Sequence, residues 1–161
     1  GAEGAKVYGN ISRATIANAS LTAEWEPARW LKWNGKLSYA LGRDADGNPL
    51  PLISPASFQT DIAASIRQWQ VLCTLRGNAR QSKAATKYGE TETAGWMVCD
   101  VAAVARFALG GSTATGRQAT SSLWLRIGVE NLFDRRYATY ADWNDIPQKG
   151  RNVYANLTLE L

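Results

Sequence analysis

The chain has no histidine and only two cysteines among 161 residues, which argues against a zinc site. No apolar run approaches the ~18 residues of a membrane-crossing helix, so a helical membrane protein is excluded. No segment keeps a convincing helical period. The net charge is only +4, and the basic residues are scattered rather than gathered into a stripe, so no nucleic-acid partner is expected. No signal peptide is present at the start; either the chain is mature or it begins inside a longer protein. No cofactor-binding or catalytic constellation emerges, and an enzyme is not expected.

What the chain has in abundance is period-2 alternation. From Val153 the odd positions are Val153, Ala155, Leu157, Leu159 and Leu161, whereas Asn152, Tyr154, Asn156, Thr158 and Glu160 fill the even ones. Such alternation gives a strand one apolar and one polar face. The same pattern recurs over Ala17–Trp25, Leu31–Leu41, Phe58–Ile66, Val71–Ala79, Met97–Phe107 and Leu123–Val129. With no helices between them, about seven such strands imply an all-β, antiparallel up-and-down meander.

The connections alternate in length. Pro27-Ala28-Arg29 and the reversal near Gln68 are short, Gly110–Thr120 is intermediate, and Gly42–Pro55, Gln81–Ala94 and Asn131–Gly150 are long. In a meander every second connection lies at the same end, so the long loops gather together. Transmembrane β-barrels have this asymmetry. Seven tryptophans are many for this length. Trp25, Trp30, Trp33, Trp69 and Trp124 fall near the short-turn end, and Trp96 and Trp143 near the long-loop end with Tyr137 and Tyr140. This suits two interfacial aromatic girdles.

The polar positions carry Lys32, Lys36, Arg67, Arg76, Arg80, Asp100, Arg106, Arg126 and Glu130. A soluble barrel or sandwich would turn these to water, whereas a porin-like barrel would turn them into a wet lumen. Period alone does not choose. The many alanines on the apolar face favour lipid over a tightly packed core. In a lumen, Asp100 and Arg106 are polar contacts rather than an acid and base.

Several ordered motifs resemble the C-terminal part of TonB-dependent outer-membrane receptors. Val129 to Tyr137 (VENLFDRRY) matches that family's "veNLFDkrY". Ile146-Pro147 with Gly150-Arg151-Asn152 matches "iP.pGRn". Asn10–Ile16, Gly42–Pro55 and Gly89–Gly95 resemble further family segments in the family's order. The sequence departs from the pattern at Ala94, Ser54 and Lys149, where the family has proline, and at Leu161, where it has an aromatic residue.

The resemblance implies one β-barrel segment over residues 1–161, without a plug domain or TonB-contacting segment. Its partners would be the rest of the barrel, the plug, outer-membrane lipid and, through the plug, TonB. The implied function is uptake of a scarce ligand at the bacterial outer membrane, most often a ferric siderophore or haem and less often cobalamin, copper or a glycan, with no cofactor. Asn131, Leu132, Phe133, Asp134, Tyr137, Pro147, Gly150 and Arg151 would shape the barrel rim. The best guesses for loop residues touching ligand are Arg43, Asp44, Glu90, Glu92, Arg136, Tyr137 and Trp143. No metal site is expected.

A free-standing small barrel, closed by Ala5–Gly9 as an eighth strand, is the alternative. It would have a structural or binding role. An open sheet would leave two edges, and each unpaired backbone group in lipid costs several kcal/mol.

Folding the fourth and fifth strands about the centre of their loop sets Cys73 opposite roughly residue 103 and Cys99 opposite roughly residue 77. The cysteines are then ~13 Å apart along the strands, against the ~7 Å limit on Cα separation for a disulfide. Two free thiols on the lipid side are therefore expected.

Overall fold

A computed structural model describes residues 13–82, 85–86, 90–112, 118–142 and 146–160. Seven strands form one antiparallel sheet in the order of the chain: β1 (Ala14–Ala28), β2 (Leu31–Asp44), β3 (Ser57–Ile66), β4 (Trp69–Asn78), β5 (Trp96–Ser112), β6 (Gln118–Glu130) and β7 (Asn152–Glu160). Among the described residues every strand pairs only with its neighbours in the chain, and β1 and β7 do not touch. The shortest strand has nine residues, the length at which a tilted strand crosses a bilayer (~9–11 residues).

The alternation maps onto two continuous faces. Cross-strand partners share a face. Leu21 lies opposite Leu37 and Leu37 opposite Phe58, after which Phe58 meets Gly77 and Gly77 meets Met97. Farther along the sheet, Ala103 lies opposite Ile127 and Ile127 opposite Ala155. The polar positions join in the same way, from Thr22 through Lys36, Gln59 and Arg76, and through Asp61, Thr74 and Asp100. Little is buried on the apolar face. Leu37 is 56% exposed and Val153 73%, and Leu21, Ile62, Val71, Ile127, Leu157 and Leu159 are also exposed.

Glycines sit beneath aromatic rings on both faces. A Cβ on Gly77 would lie 2.7 Å from the Phe58 ring, and one on Gly128 would lie 2.5 Å from the Tyr154 ring. Each glycine thus leaves room for the ring of its cross-strand partner.

Four expectations need correction. First, the β1–β2 reversal is Arg29-Trp30, because β1 runs on to Ala28. The register shifts between Trp25 and Ala28, which makes Glu26-Pro27 a bulge. Proline lacks the N–H of a regular ladder and is tolerated at such a bulge.

Second, the Gly110–Thr120 connection is largely strand. Gly110 pairs with Thr120, Gly111 with Ala119 and Ser112 with Gln118, leaving only 113–117 between β5 and β6. The small residues hid the strands because they carry no hydropathy alternation.

Third, Trp96 and Trp124 do not share a face with Trp25, Trp33 and Trp69. Trp96 lies opposite Asn78, and Trp124 opposite Arg106 and Thr158, on the polar face. The even-numbered positions of β5 and β6 belong to that face, and the Arg106 guanidinium sits 5.3 Å from the Trp124 ring centroid. Their girdle role is therefore replaced by polar-face contacts.

Fourth, the β4–β5 register is two residues from the expected one. Cys73 lies opposite Val101 and Leu75 opposite Cys99. The sulfurs are 3.8 Å apart, and both thiols are free. The expected ~13 Å rested on a loop centred on residue 88; the Asn78–Trp96 and Gln81–Thr93 pairs centre it on residue 87, and moving the centre by one residue moves the register by two.

Candidate functional site

The long connections meet at one end of the sheet, and two separate devices organise them. The first is built by the segment after β6. Asn131 (φ 51°) and Asp134 (φ 53°) adopt left-handed backbone, which asparagine and aspartate tolerate better than most residues. The Asn131 amide donates to Asp100 Oδ1 at 2.7 Å, which ties the end of β6 to β5. The Asn131 side chain then clasps Arg135, accepting from its N–H and donating to its carbonyl, both at 2.8 Å. Leu132 N–H donates to the Cys99 carbonyl at 2.8 Å.

Asp134 reaches across the loop to accept from Arg151 N–H at 2.8 Å, where β7 begins. A Cβ on Gly150 would lie 2.7 Å from that carboxylate oxygen, so glycine is required for this approach. Asn131, Asp134, Gly150 and Arg151 thus form a clasp that starts β7 beside the end of β6. Leu132 is half-buried and Phe133 is 77% exposed. Pro147 is exposed at the approach to β7.

Asp142 organises the same loop farther out. It accepts from Thr139 N–H at 2.6 Å and from the Gln148 amide at 2.7 and 2.8 Å. Partial burial works against its charge. The bonds from Thr139 and Gln148 outweigh that and hold the carboxyl below its ordinary range.

The second device joins the loops after β2 and β4. Glu90 accepts from Leu52 N–H across the two loops and from Ala85 N–H at 2.9 Å within its own. Gln81 donates to the Ile53 carbonyl at 2.9 Å, and Leu50 is only 5% exposed. Gly42 is also buried, with Ile53 and Leu50 packed over it. The two loops border a groove of ≈ 420 Å³ lined by Tyr39, Arg43, Leu50, Ile53, Arg80 and Gln81, among others.

Between these devices the polar face carries a network. Thr74 donates to Asp61 at 2.7 Å, and Gln59 donates to the same carboxylate at 3.0 Å. Arg76 pairs with Asp100 at 3.2 Å. The Trp96 and Tyr137 rings lie 4.4 Å apart, and the Arg76 guanidinium sits 5.8 Å from the Trp96 ring centroid. The two rings are tilted by 36°, and an aromatic pair beside a cation can hold a planar or anionic group.

The residues expected to touch ligand divide into distinct groups. Asp44 caps its own turn, accepting from Asp46 and Asn48 N–H at 2.9 and 2.8 Å. Glu90 joins two loops, and Glu92 pairs with Arg80. Arg43 is exposed at the groove, and Arg136 is exposed beyond the clasp. Tyr137 stacks on Trp96. Trp143 lies outside the described residues, as do Asn10–Ser12 and Gly89 from the motifs. Asp44 and Glu90 are therefore used by the fold. Arg43, Glu92, Arg136 and Tyr137 lie in or beside accessible space.

Sequence reasoning missed the Trp96–Arg76–Asp100 cluster. The available signal was parity: Trp96 and Asp100 share even positions of β5, with Arg76 two residues from Thr74 on the neighbouring strand. Among the described residues no group of three or more acidic or cysteine side chains could hold a metal ion.

No family model matches the chain, and no curated protein matches it. Among solved structures it is similar to the copper transporter OprC, with a TM-score of 0.77 and 20% identity, over 92% of this chain and 24% of that one. The chain thus spans about a quarter of that protein's length. At this identity the likeness shows the fold alone: seven antiparallel up-and-down strands in one sheet, similar to part of that transporter's β-barrel.

Proposed function

We propose that this chain is the C-terminal barrel section of a TonB-dependent outer-membrane receptor, with its apolar face in lipid and its polar face lining the lumen. The observation that carries this reading is the apolar face, continuous across all seven strands and left exposed. Soluble monomers rarely expose contiguous apolar patches beyond a few hundred Å². The fold shared with an outer-membrane transporter supports the same reading. So do the NLFD and GRN motifs, whose contacts start and align β7.

The rest of the barrel supplies partners for the outer edges of β1 and β7. A plug and TonB belong to that larger assembly. The alternative small barrel would be closed by Ala5–Gly9, which lie outside the described residues. The parent takes up a scarce ligand such as a ferric siderophore or haem, and the name of OprC supports trying copper, already among the rarer ligands, beside them. Ligand contact falls to Arg43, Glu92, Arg136, Tyr137 and Trp96 at the loop end.

Purification with and without detergent tests the membrane reading. The expected result is that the isolated chain gives no monodisperse, β-rich species without detergent. A monodisperse, β-rich species without detergent would overturn it. Titration of the parent receptor with ferric siderophore, haem or copper tests the uptake reading, and tight binding by none of them would count against it.

A further inference from the structure

Cys73 on β4 and Cys99 on β5 are the two cysteines of the chain, and they share the apolar face as diagonal neighbours. Their sulfurs lie 3.8 Å apart, with Cys99 buried and Cys73 half-buried. We propose that this pair is a covalent cross-link site, at which the two thiols oxidise to a disulfide that fastens β4 to β5. The proposal rests on the outer-membrane reading for its setting, because an envelope protein passes through an oxidising compartment.

The chemistry is thiol–disulfide exchange. One thiol loses its proton and attacks the disulfide of an oxidant such as oxidised glutathione, releasing one reduced thiol of that oxidant. The second cysteine then loses its proton and attacks the mixed disulfide, releasing the other. One S–S bond forms in the protein and one breaks in the oxidant. The oxidant takes up two electrons, and each departing thiolate takes up a proton.

The surrounding ladder favours this outcome. β4 and β5 pair without a break from Trp69–Ala105 to Asn78–Trp96, so both strands are held in place before oxidation. The sulfurs start in contact at 3.8 Å, and because diagonal partners lie near the ~7 Å Cα limit, closure to the ~2.05 Å of a disulfide draws on side-chain rotation and a small approach of the two strands.

The cross-link would also give something that hydropathy cannot. A slip of two residues between β4 and β5 leaves every side chain on its proper face, so the apolar pattern does not penalise it. A bond between Cys73 and Cys99 forbids that slip. It fixes the base of the loop that brings Gln81 and Glu90 against the loop after β2.

The test uses the parent barrel that contains this chain, folded in detergent and incubated with oxidised glutathione. It is then denatured, treated with N-ethylmaleimide, digested and read by peptide mass at Cys73 and Cys99. The expected result is no maleimide on the wild type, two after prior reduction, and one peptide pair joined through Cys73 and Cys99. In Cys73→Ser or Cys99→Ser the remaining thiol stays open to maleimide or glutathione. Two maleimides on the oxidised wild type would overturn the proposal, as would stable glutathione adducts or cysteine-linked dimers.

Far-UV circular dichroism of Cys73→Ala/Cys99→Ala confirms that the sheet forms without the thiols, so a failed cross-link cannot be ascribed to misfolding. Detergent dependence is read separately. A folded chain that stays reduced sinks the cross-link alone, and a chain that folds and cross-links without detergent sinks the membrane reading alone.

Discussion

The two faces of the sheet are held by different means. On the polar face the side chains bond to one another, as in Thr74 with Asp61, Arg76 with Asp100 and Arg106 with Ser122. On the apolar face Leu21 lies opposite Leu37, Val153 opposite Val129 and Leu157 opposite Leu125, and Leu21, Leu37, Val153 and Leu157 are otherwise exposed. A face that supplies its own partners can stand in water. A face of exposed leucines and valines needs an apolar medium, because burying such side chains contributes about 1.5–3 kcal/mol each relative to water. The sheet therefore has one completed side and one that depends on its solvent.

Substitutions that exchange the character of the faces should have the largest effect. Leu37→Arg places a charge in the middle of the apolar face and should destabilise the bilayer-folded protein by about 2–4 kcal/mol. Ser20→Arg, on the polar face opposite Ser38, should change stability by no more than ~0.5 kcal/mol. Urea unfolding of both variants in lipid vesicles measures the difference, and equal effects would break the comparison.

Removing a shared acceptor from the polar face should come next. Asp100→Ala leaves the Asn131 N–H and the Arg76 guanidinium without their partner and should cost about 2 kcal/mol. Amide exchange at Asn131 should quicken at the same time. A variant that keeps both stability and protection would show that the clasp does not depend on β5.

Gly128→Ala should cost about 1–3 kcal/mol, because the new Cβ would lie 2.5 Å from the Tyr154 ring. Combining it with Tyr154→Ala should recover part of the loss in a double-mutant cycle of unfolding free energies. A smaller gain is expected from Arg67→Gly in the β3–β4 hairpin. Arg67 holds φ at 56°, and glycine at such a position should stabilise by about 1 kcal/mol in the same unfolding assay.

The smallest effect concerns pH. The Asp142 carboxyl titrates lower in the folded loop than in the unfolded chain, so the bonds it accepts stabilise the loop at pH values above the ordinary carboxylate range. That contribution should fade as pH falls through the lowered value. Amide protection at Thr139, compared with Asp142→Asn, would show it. Protection that is flat across that window would remove the role given to Asp142.

The seven strands and both faces were legible in the sequence because leucine, isoleucine and valine mark a period of two. Gly110–Thr120 was not legible, since glycine, serine and threonine give no contrast between faces. The β4–β5 register was hidden for a different reason: a slip of two residues leaves the pattern unchanged, and only the Gln81–Thr93 pairing inside the loop resolves it. The rim-shaping role expected of Asn131, Asp134 and Gly150 rested on the family resemblance. Which of them met Asp100 or Arg151 was not legible, because those contacts span 31 and 17 residues. Glu90 illustrates the limit for candidate ligand contacts. An acidic loop residue reads as a binding group, and here it holds two loops together.

The most direct test of the central claim is a spin-label scan along β7 from Asn152 to Glu160, in the membrane-embedded protein with Cys73→Ala/Cys99→Ala as background. Oxygen accessibility should rise at Val153, Ala155, Leu157 and Leu159, and accessibility to a water-soluble nickel reagent should rise at the residues between them. A scan with no period of two, or with the nickel reagent favouring the odd positions, would contradict a lipid-facing apolar side.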